Sequence, residues 1–336
     1  MSRRICYLTG TRADFGLMAS TLRRIDADPR LALSLIVTGM HLSERFGRTI
    51  DEIEATGLHI AERIAVDHDL TGGAGMAQNL AAMLHGLVPA LERLRPDLLL
   101  LLGDRGEMLA GAIAAIHLGI PVAHLHGGER SGTVDEPVRH AVSKLSHLHL
   151  VATSDARDRL VRMGERGDSI HVVGAPGIDD LLACPRPPRA ELCRAAALDA
   201  ERAVALMVFH PVLQEARDAA GQVRAIVDAA LAEGVQLLAL LPNSDAGHEA
   251  VRAELLDAER MGRLVLRKHL RRDEYIGWLA SCDVLLGNSS SGIIEAASFG
   301  TPVVNVGSRQ NLRERNSNVI DVPPSAMPCR RRSPRR

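Results

Sequence analysis

The sequence predicts an α/β protein built from two parallel-sheet domains, and three observations carry that prediction. Short apolar runs alternate with helical patterns along the chain. The polar residues gather just after those runs. A proline-rich stretch, "APGIDDLLACPRPPRAEL" at 175–192, interrupts the alternation near the middle. Strand–helix alternation places parallel strands in one sheet with helices on both faces. Clustered prolines mark a linker or an interdomain crossing. The expected division is an N-terminal domain over 1–180, a C-terminal domain over 181–322 and a tail over 323–336.

The first domain opens on "RICYLT" (4–9), followed by "LALSLIVT" (31–38), "DLLLLL" (97–102), "PVAHL" (121–125), "LHLVAT" (148–153) and "SIHVVG" (169–174). The second contributes "AVALMVF" (203–209), "VQLLALL" (235–241), "LVLRK" (264–268), "DVLLG" (283–287) and "PVVNVG" (302–307). Helical patterns lie between most of them, at 76–94, 105–118, 136–147 and 221–233 among others. "TGGAGM" (71–76) reads as a mobile loop before a long helix and lacks the lysine of a phosphate-binding P-loop. "GIIEAASFG" reads as a helix that stops at Gly300. The tail "PPSAMPCRRRSPRR" has no apolar period and reads as disordered, in place of the helices that would complete a second domain.

With 336 residues the chain can bury two cores, and 46% hydrophobic with 24% charged residues suits a globular protein. Net charge near −1 gives no general affinity for nucleic acid or an anionic membrane. Aromatic residues at 2% are too few for base-stacking platforms, so the core is Leu, Ile, Val and Ala. Five cysteines without CxxC or zinc spacing fit a reducing compartment. The start, "MSRRICYLTG", leads straight into a strand, and no apolar run reaches membrane-spanning length. A cytoplasmic location is expected.

In parallel α/β sheets, ligands bind beyond the carboxyl ends of the strands. "LTGTRADFG" (8–16) follows the first strand; Gly10 suits a tight turn, and Arg12 suits a phosphate or is a surface arginine, with Asp14 as a helix cap. "GDRGEM" (103–108) sets Asp104, Arg105 and Glu107 at the end of a buried strand, where charges are costly unless paired or functional. "HLHGGERSGTVDEPVRH" (124–140) brings His124, His126, Glu129, Asp135, Glu136, Arg139 and His140 around a Gly-Gly turn. On one strand, alternating His124 and His126 would point the same way and could join Glu129 as metal ligands. No further ligand spacing supports a metal, and proton transfer by paired carboxylates and histidines fits better. In the second domain His210, Asn243, Ser289, Ser290, Glu295 and Arg309 follow successive strands and suit a nucleoside diphosphate. The serines can cap a helix or hold phosphate, and Gly292 would let a ligand approach the backbone.

Taken in order, "GTRADFG", "GDRGEMLA", "HGGERSGTVDEPVRHAVSKLSHLH", "FHPV", "GNSSSGIIEAASFGTPVVNVGSRQ" and "NVIDV" resemble the UDP-N-acetylglucosamine 2-epimerase family over about residues 4–322. The resemblance is to its hydrolysing branch, which makes N-acetylmannosamine for sialic-acid-type sugars. It implies two Rossmann-like domains in the glycosyltransferase-B arrangement, with the active site in the interdomain cleft. It further implies that Ser289 and Ser290 bind the diphosphate, Glu295 the ribose, and His210, Asn243 and Leu270 the uridine side, with Arg309 closing over the nucleotide. Arg12, Ala13 and Arg105 would reach across from the N-terminal domain.

The implied reaction is elimination of UDP to a 2-acetamidoglucal followed by hydration, with Asp104, Glu129 and Asp135 as acids and bases. Some relatives carry an acid where this chain has His126, so either His126 or Glu129 takes that role. No metal or other cofactor is implied; the partner is a UDP-sugar, and the assembly a homodimer or homotetramer. Within the same fold, UDP-2,4-diacetamido-2,4,6-trideoxyglucose, on the route to legionaminic acid, is the alternative substrate. A non-hydrolysing epimerase, a UDP-sugar-binding protein without turnover and a glycosyltransferase are the other readings.

Overall fold

The computed structural model describes residues 2–323 apart from positions 71, 180, 183 and 244. The chain divides into two compact units, Met1–Leu182 and Ala183–Arg336. The expected Pro/Arg tail lies outside the described residues from position 324 onward.

The first unit runs β1 (Arg3–Thr9), α1 (Arg12–Asp26), β2 (Leu31–Thr38), α2 (Ile50–Glu54), β3 (Ile60–Ile64), α3 (Gly72–Leu94) and β4 (Leu98–Leu102). It continues with α4 (Gly106–His117), β5 (Val122–Leu125), α5 (Asp135–Lys144), β6 (Leu148–Val151), α6 (Ser154–Arg162) and β7 (Ile170–Val172). The seven strands form one parallel sheet in the order β3-β2-β1-β4-β5-β6-β7. Strand alternation sorts the core onto two faces. Cys6, Leu8, Leu99 and Leu101 pack with α3 and α4, while Ile5, Tyr7, Leu100 and Leu102 pack with α1 and α2.

The second unit runs α7 (Arg189–Ala195), β8 (Val204–Val208), α8 (Ala219–Ala232), β9 (Gln236–Leu240), α9 (His248–Arg260), β10 (Val265–Arg267) and α10 (Arg272–Ser281). It ends with β11 (Val284–Gly287), α11 (Ser290–Ile294), β12 (Val303–Val306) and β13 (Val319–Val322). Its parallel sheet has the order β10-β9-β8-β11-β12-β13. Ala205 and Met207 face α8 and α9; Val204, Leu206 and Val208 face α7 and α10.

Both sheets are doubly wound, as the alternation predicts, and each strand named from the sequence is found. Two strands were not anticipated. β3 is an edge strand whose exposed and half-buried positions include Glu62 and Arg63, paired with Arg93 and Glu54. β13 is an edge of the second sheet, and Ile320 and Asp321 of its "VIDV" are exposed. Edge strands carry polar residues because one side is open, and that removes the apolar signal.

Other expectations change. Residues 72–76 are the first turns of α3, not a loop. The helix expected after the serines is α-helical for five residues only, then tightens into a 3-10 turn over Ala296–Phe299. Gly300, at φ +68°, ends it as expected. Among the described residues no helix is long and apolar enough to cross a membrane.

Candidate functional site

In each sheet the strand order reverses between two central strands, β1 and β4 in the first unit and β8 and β11 in the second. The helices that follow such a pair leave to opposite faces, opening a crevice at the carboxyl ends. Every candidate residue lies at or near the strand ends of one unit or the other.

In the first unit, Thr11 caps α1 and Asp14 completes a capping box. The Asp14 carboxylate accepts from the Gly10 and Thr11 amides at 3.2 and 2.8 Å and from the Thr9 and Thr11 hydroxyls. Burial raises its pKa to about 6, opposed by those hydroxyls. Thr9 also meets His41 Nε2 at 2.9 Å, and His41 Nδ1 meets Thr49 at 2.8 Å, a buried polar chain under the loop. Burial lowers the His41 pKa to about 3, so the ring is a neutral strut. Arg12 follows the cap, half-buried, with Ala13 exposed beside it.

Gly10 has no left-handed φ, so the turn does not require glycine as expected. Close approach does: a Cβ there would stand 2.5 Å from Glu107 Cγ. Glu107 is buried under this loop, and its carboxylate takes Arg105 Nε at 3.3 Å. Glu107 thus lies between Arg105 and the β1–α1 turn.

Asp104 follows β4 and pairs with Arg139 of α5. Arg139 also donates to the Glu129 carbonyl at 3.0 Å and Ser131 Oγ at 3.4 Å. His126 is not on the strand with His124, because β5 ends at Leu125. At φ +60° His126 turns out of line, so the two imidazoles do not share a strand face, as a metal site would need. Its Nδ1 pairs with Glu129. His124 sits below, with Nε2 2.7 Å from the Gly103 carbonyl and Nδ1 3.1 Å from Ser143 Oγ. Burial holds its pKa down at about 4, which makes it a neutral brace.

Asp135 and Glu136 open α5, and their roles part there. Glu136 is taken up by the Ser131 amide at 2.6 Å, whereas Asp135 stands close enough to Arg139 to raise the arginine's pKa. The candidate acids Asp104, Glu129 and Asp135 thus surround one arginine. Among the described residues no three His, Cys, Asp or Glu side chains converge as metal ligands.

In the second unit the organising residue is Asn288, which sequence reasoning did not single out. Its Oδ1 accepts from the His210 amide and its Nδ2 donates to the His210 carbonyl, both at 2.8 Å. Its own carbonyl accepts from Arg309 Nη1 at 3.1 Å and Gln310 Nε2 at 2.8 Å. One buried amide thus joins the ends of β8, β11 and β12. The strands can close here because Gly287, at φ +126°, has no Cβ to strike the Val208 carbonyl 2.2 Å away. His210 Nδ1 accepts from the Asn243 amide at 3.3 Å, which adds the end of β9.

Ser289 caps α11, accepting from the Ser291 amide, and Ser290 is its first residue. The Ser291 hydroxyl is buried without a hydrogen-bond partner. Gly292 serves packing rather than ligand access: a Cβ would lie 2.9 Å from both Leu285 and Val303 side chains. Glu295 is buried and paired with Arg272, a second partner the sequence did not point to. Leu270 packs in the apolar cluster beneath β8 and β11, leaving its backbone as the group that could meet a ligand.

Comparisons with known proteins bear on the family and the fold. The family model described as UDP-N-acetylglucosamine 2-epimerase matches residues 23–329. A Legionella pneumophila protein named UDP-N,N'-diacetylbacillosamine 2-epimerase (hydrolyzing) is 50% identical over 322 residues, covering 96% of this chain and 85% of its own. A Neisseria meningitidis serogroup B UDP-N-acetylglucosamine 2-epimerase is 35% identical over 322 residues, covering 95% of this chain and 83% of its own. The crystal structure of a Neisseria meningitidis UDP-GlcNAc 2-epimerase bound to UDP-GlcNAc superposes with a TM-score of 0.75 at 18% identity, over 91% of this chain and 83% of that one. At that identity the match speaks to the fold alone, and the fold it shares is the glycosyltransferase-B type expected from the motifs. By the family model and the Legionella and meningococcal sequences, the chain belongs to the UDP-N-acetylglucosamine 2-epimerase family, in its hydrolysing branch.

Proposed function

We propose that the chain hydrolyses a UDP-2-acetamido sugar with inversion at C2, by elimination and then hydration. The observation that carries this reading is the gathering of Asp104, Glu129 and Asp135 around Arg139, with His126 on Glu129. Elimination of UDP, followed by addition of water at C1 and of a proton to the opposite face of C2, needs proton-transfer groups beside C2 and a stabilised leaving group at C1. Glu129 orients His126, as a carboxylate orients the base of a catalytic dyad. In this chain His126 and Glu129 therefore act as one unit, where some relatives carry an acid in place of the histidine.

The second unit takes UDP in this reading. Ser289, Ser290 and the first amides of α11 face the diphosphate, with Arg309 as counter-charge. Glu295, held by Arg272, takes the ribose hydroxyls; His210, Asn243 and the Leu270 backbone take the uridine side. Arg12, Ala13 and Arg105 add contacts from the first unit. The reading needs no cofactor and includes a cytoplasmic homo-oligomer, dimer or tetramer, by resemblance to the family.

Of the two substrates, the 50% identity to the Legionella protein, against 35% to the meningococcal one, favours UDP-2,4-diacetamido-2,4,6-trideoxyglucose, which is UDP-N,N'-diacetylbacillosamine. UDP-N-acetylglucosamine, with N-acetylmannosamine as product, is the second reading. Incubation of the purified protein with each substrate in deuterated water, followed by proton NMR, separates them. Free UDP and a 2-epimerised sugar deuterated at C2 are expected with the diacetamido substrate. Turnover of UDP-N-acetylglucosamine alone reverses the preference, and inertness toward both defeats the enzyme reading.

A further inference from the structure

Arg139 was not among the catalytic candidates, yet it has the most demanding position near them. Its side chain is 1% exposed, whereas that of Asp104, its ion-pair partner, is 21% exposed. The cation lies behind and the carboxylate in front. A buried ion pair is poor economy for stability alone, because apolar residues of similar volume serve at least as well. Its guanidinium is also divided: Nη2 goes to Asp104, while Nη1 goes to the Glu129 carbonyl and Ser131 Oγ. One planar group thereby fixes the loop after β4 to the loop after β5. The Arg139 carbonyl in turn accepts from Ser143 Oγ at 3.0 Å, and Ser143 meets His124, which holds the Gly103 carbonyl beside Asp104.

We propose that Arg139 is a positioning residue for the epimerase reaction, keeping Asp104 ionised and setting it in register with the His126–Glu129 pair. The proposal rests on the reading of Asp104 and Glu129 as catalytic groups. Other titratable groups near this arginine come from three elements. His124 comes from β5, and Glu129 from the loop after it. Asp135 and His140 come from α5, with Arg159 of α6 acting on His140. The acids near Arg139 raise its pKa against its burial, so it stays charged through any working pH. His124 is neutral there, with its pKa held at about 4. A guanidinium at this point therefore favours the ionised carboxylates and adds to the burial that keeps the imidazole below it neutral.

The test compares pH–rate profiles of the full chain with Arg139→Met, Arg139→Lys and Asp104→Asn, with UDP affinity as the control for folding. Arg139→Met removes the charge, and its acidic limb should move up by about one pH unit as kcat falls about 100-fold. Added guanidinium ion should restore part of the rate. Arg139→Lys keeps the charge but not the fork, so its acidic limb should stay in place while kcat falls about tenfold. A native acidic limb in Arg139→Met, or a native kcat in Arg139→Lys, would overturn the proposal while Asp104→Asn is inactive. If the methionine variant does not fold, the lysine variant still decides. Full turnover by Asp104→Asn would overturn the proposal together with the reading under it.

Discussion

The two strand-end clusters are built on the same topology and from different chemistry. At the carboxyl ends of β1, β4 and β5, the first unit concentrates ionisable groups: Asp14, Asp104, Arg105, Glu107, His126, Glu129 and Arg139. At the ends of β8, β9, β11 and β12 the second unit relies mainly on amides, hydroxyls and backbone, joined through Asn288, with Arg309 against its carbonyl and an ion pair between Glu295 and Arg272. Charges that are partly buried beside like and unlike charges have adjustable proton affinities. Amides and hydroxyls do not titrate, but they fix geometry and recognise polar ligands at little electrostatic cost. The difference teaches a division of labour: the first cluster is suited to moving protons and the second to holding a nucleotide.

The largest effect expected from that division is on turnover. Glu129→Gln should lower kcat by about 10²- to 10⁴-fold with KM little changed, measured by UDP release. A change confined to KM would move Glu129 from chemistry to binding. Next comes the frame of the second cluster. Asn288→Leu leaves the backbone amide and carbonyl of His210 without their side-chain partner, and should cost about 3 kcal/mol in urea unfolding. A loss under 1 kcal/mol would mean that the strand ends do not depend on it.

Arg309→Ala should weaken UDP binding about tenfold and raise KM, with kcat at saturation nearly unchanged. A fall in kcat without a change in KM would erase the distinction between the clusters. The last effect is a pH dependence of stability. The folded pKa of Asp14 is about 6, raised chiefly by burial. The folded state therefore binds this proton more tightly than the unfolded chain. Stability from Asp14 is full below the ordinary Asp range and is lost as pH rises to about 6, by about 1 kcal/mol per pH unit. Comparing Asp14→Asn with the native chain in urea between pH 4 and 7 should show the native chain losing ground over that window. Parallel behaviour of the two would mean the buried carboxylate does not titrate there.

Much of this architecture was legible in the sequence for a simple reason. Central strands of a parallel sheet are buried on both faces, so "DLLLLL" and "AVALMVF" announce themselves. β3 and β13 were missed because an edge strand can carry Glu62, Arg63 or Asp321 at little cost. The candidate residues stood out because polar groups just after buried strands need an explanation. What each one does locally was less legible. Gly10 reads as a turn and is a steric allowance for Glu107; Gly292 reads as ligand access and is packing against Leu285 and Val303. His124 and His126 read as a pair because they are two apart, yet the strand ends between them. Asn288, Arg139 and Arg272 act through partners 78, 35 and 23 residues away, a distance no local pattern reports.

The division of labour between the clusters is tested most directly by calorimetric titration of UDP into Asp104→Asn. Native UDP affinity in a variant that has lost turnover is the expected result, since the proposed function gives Asp104 to proton transfer. A drop in UDP affinity of about tenfold or more, tracking the loss of turnover, would contradict the account and make Asp104 part of nucleotide binding.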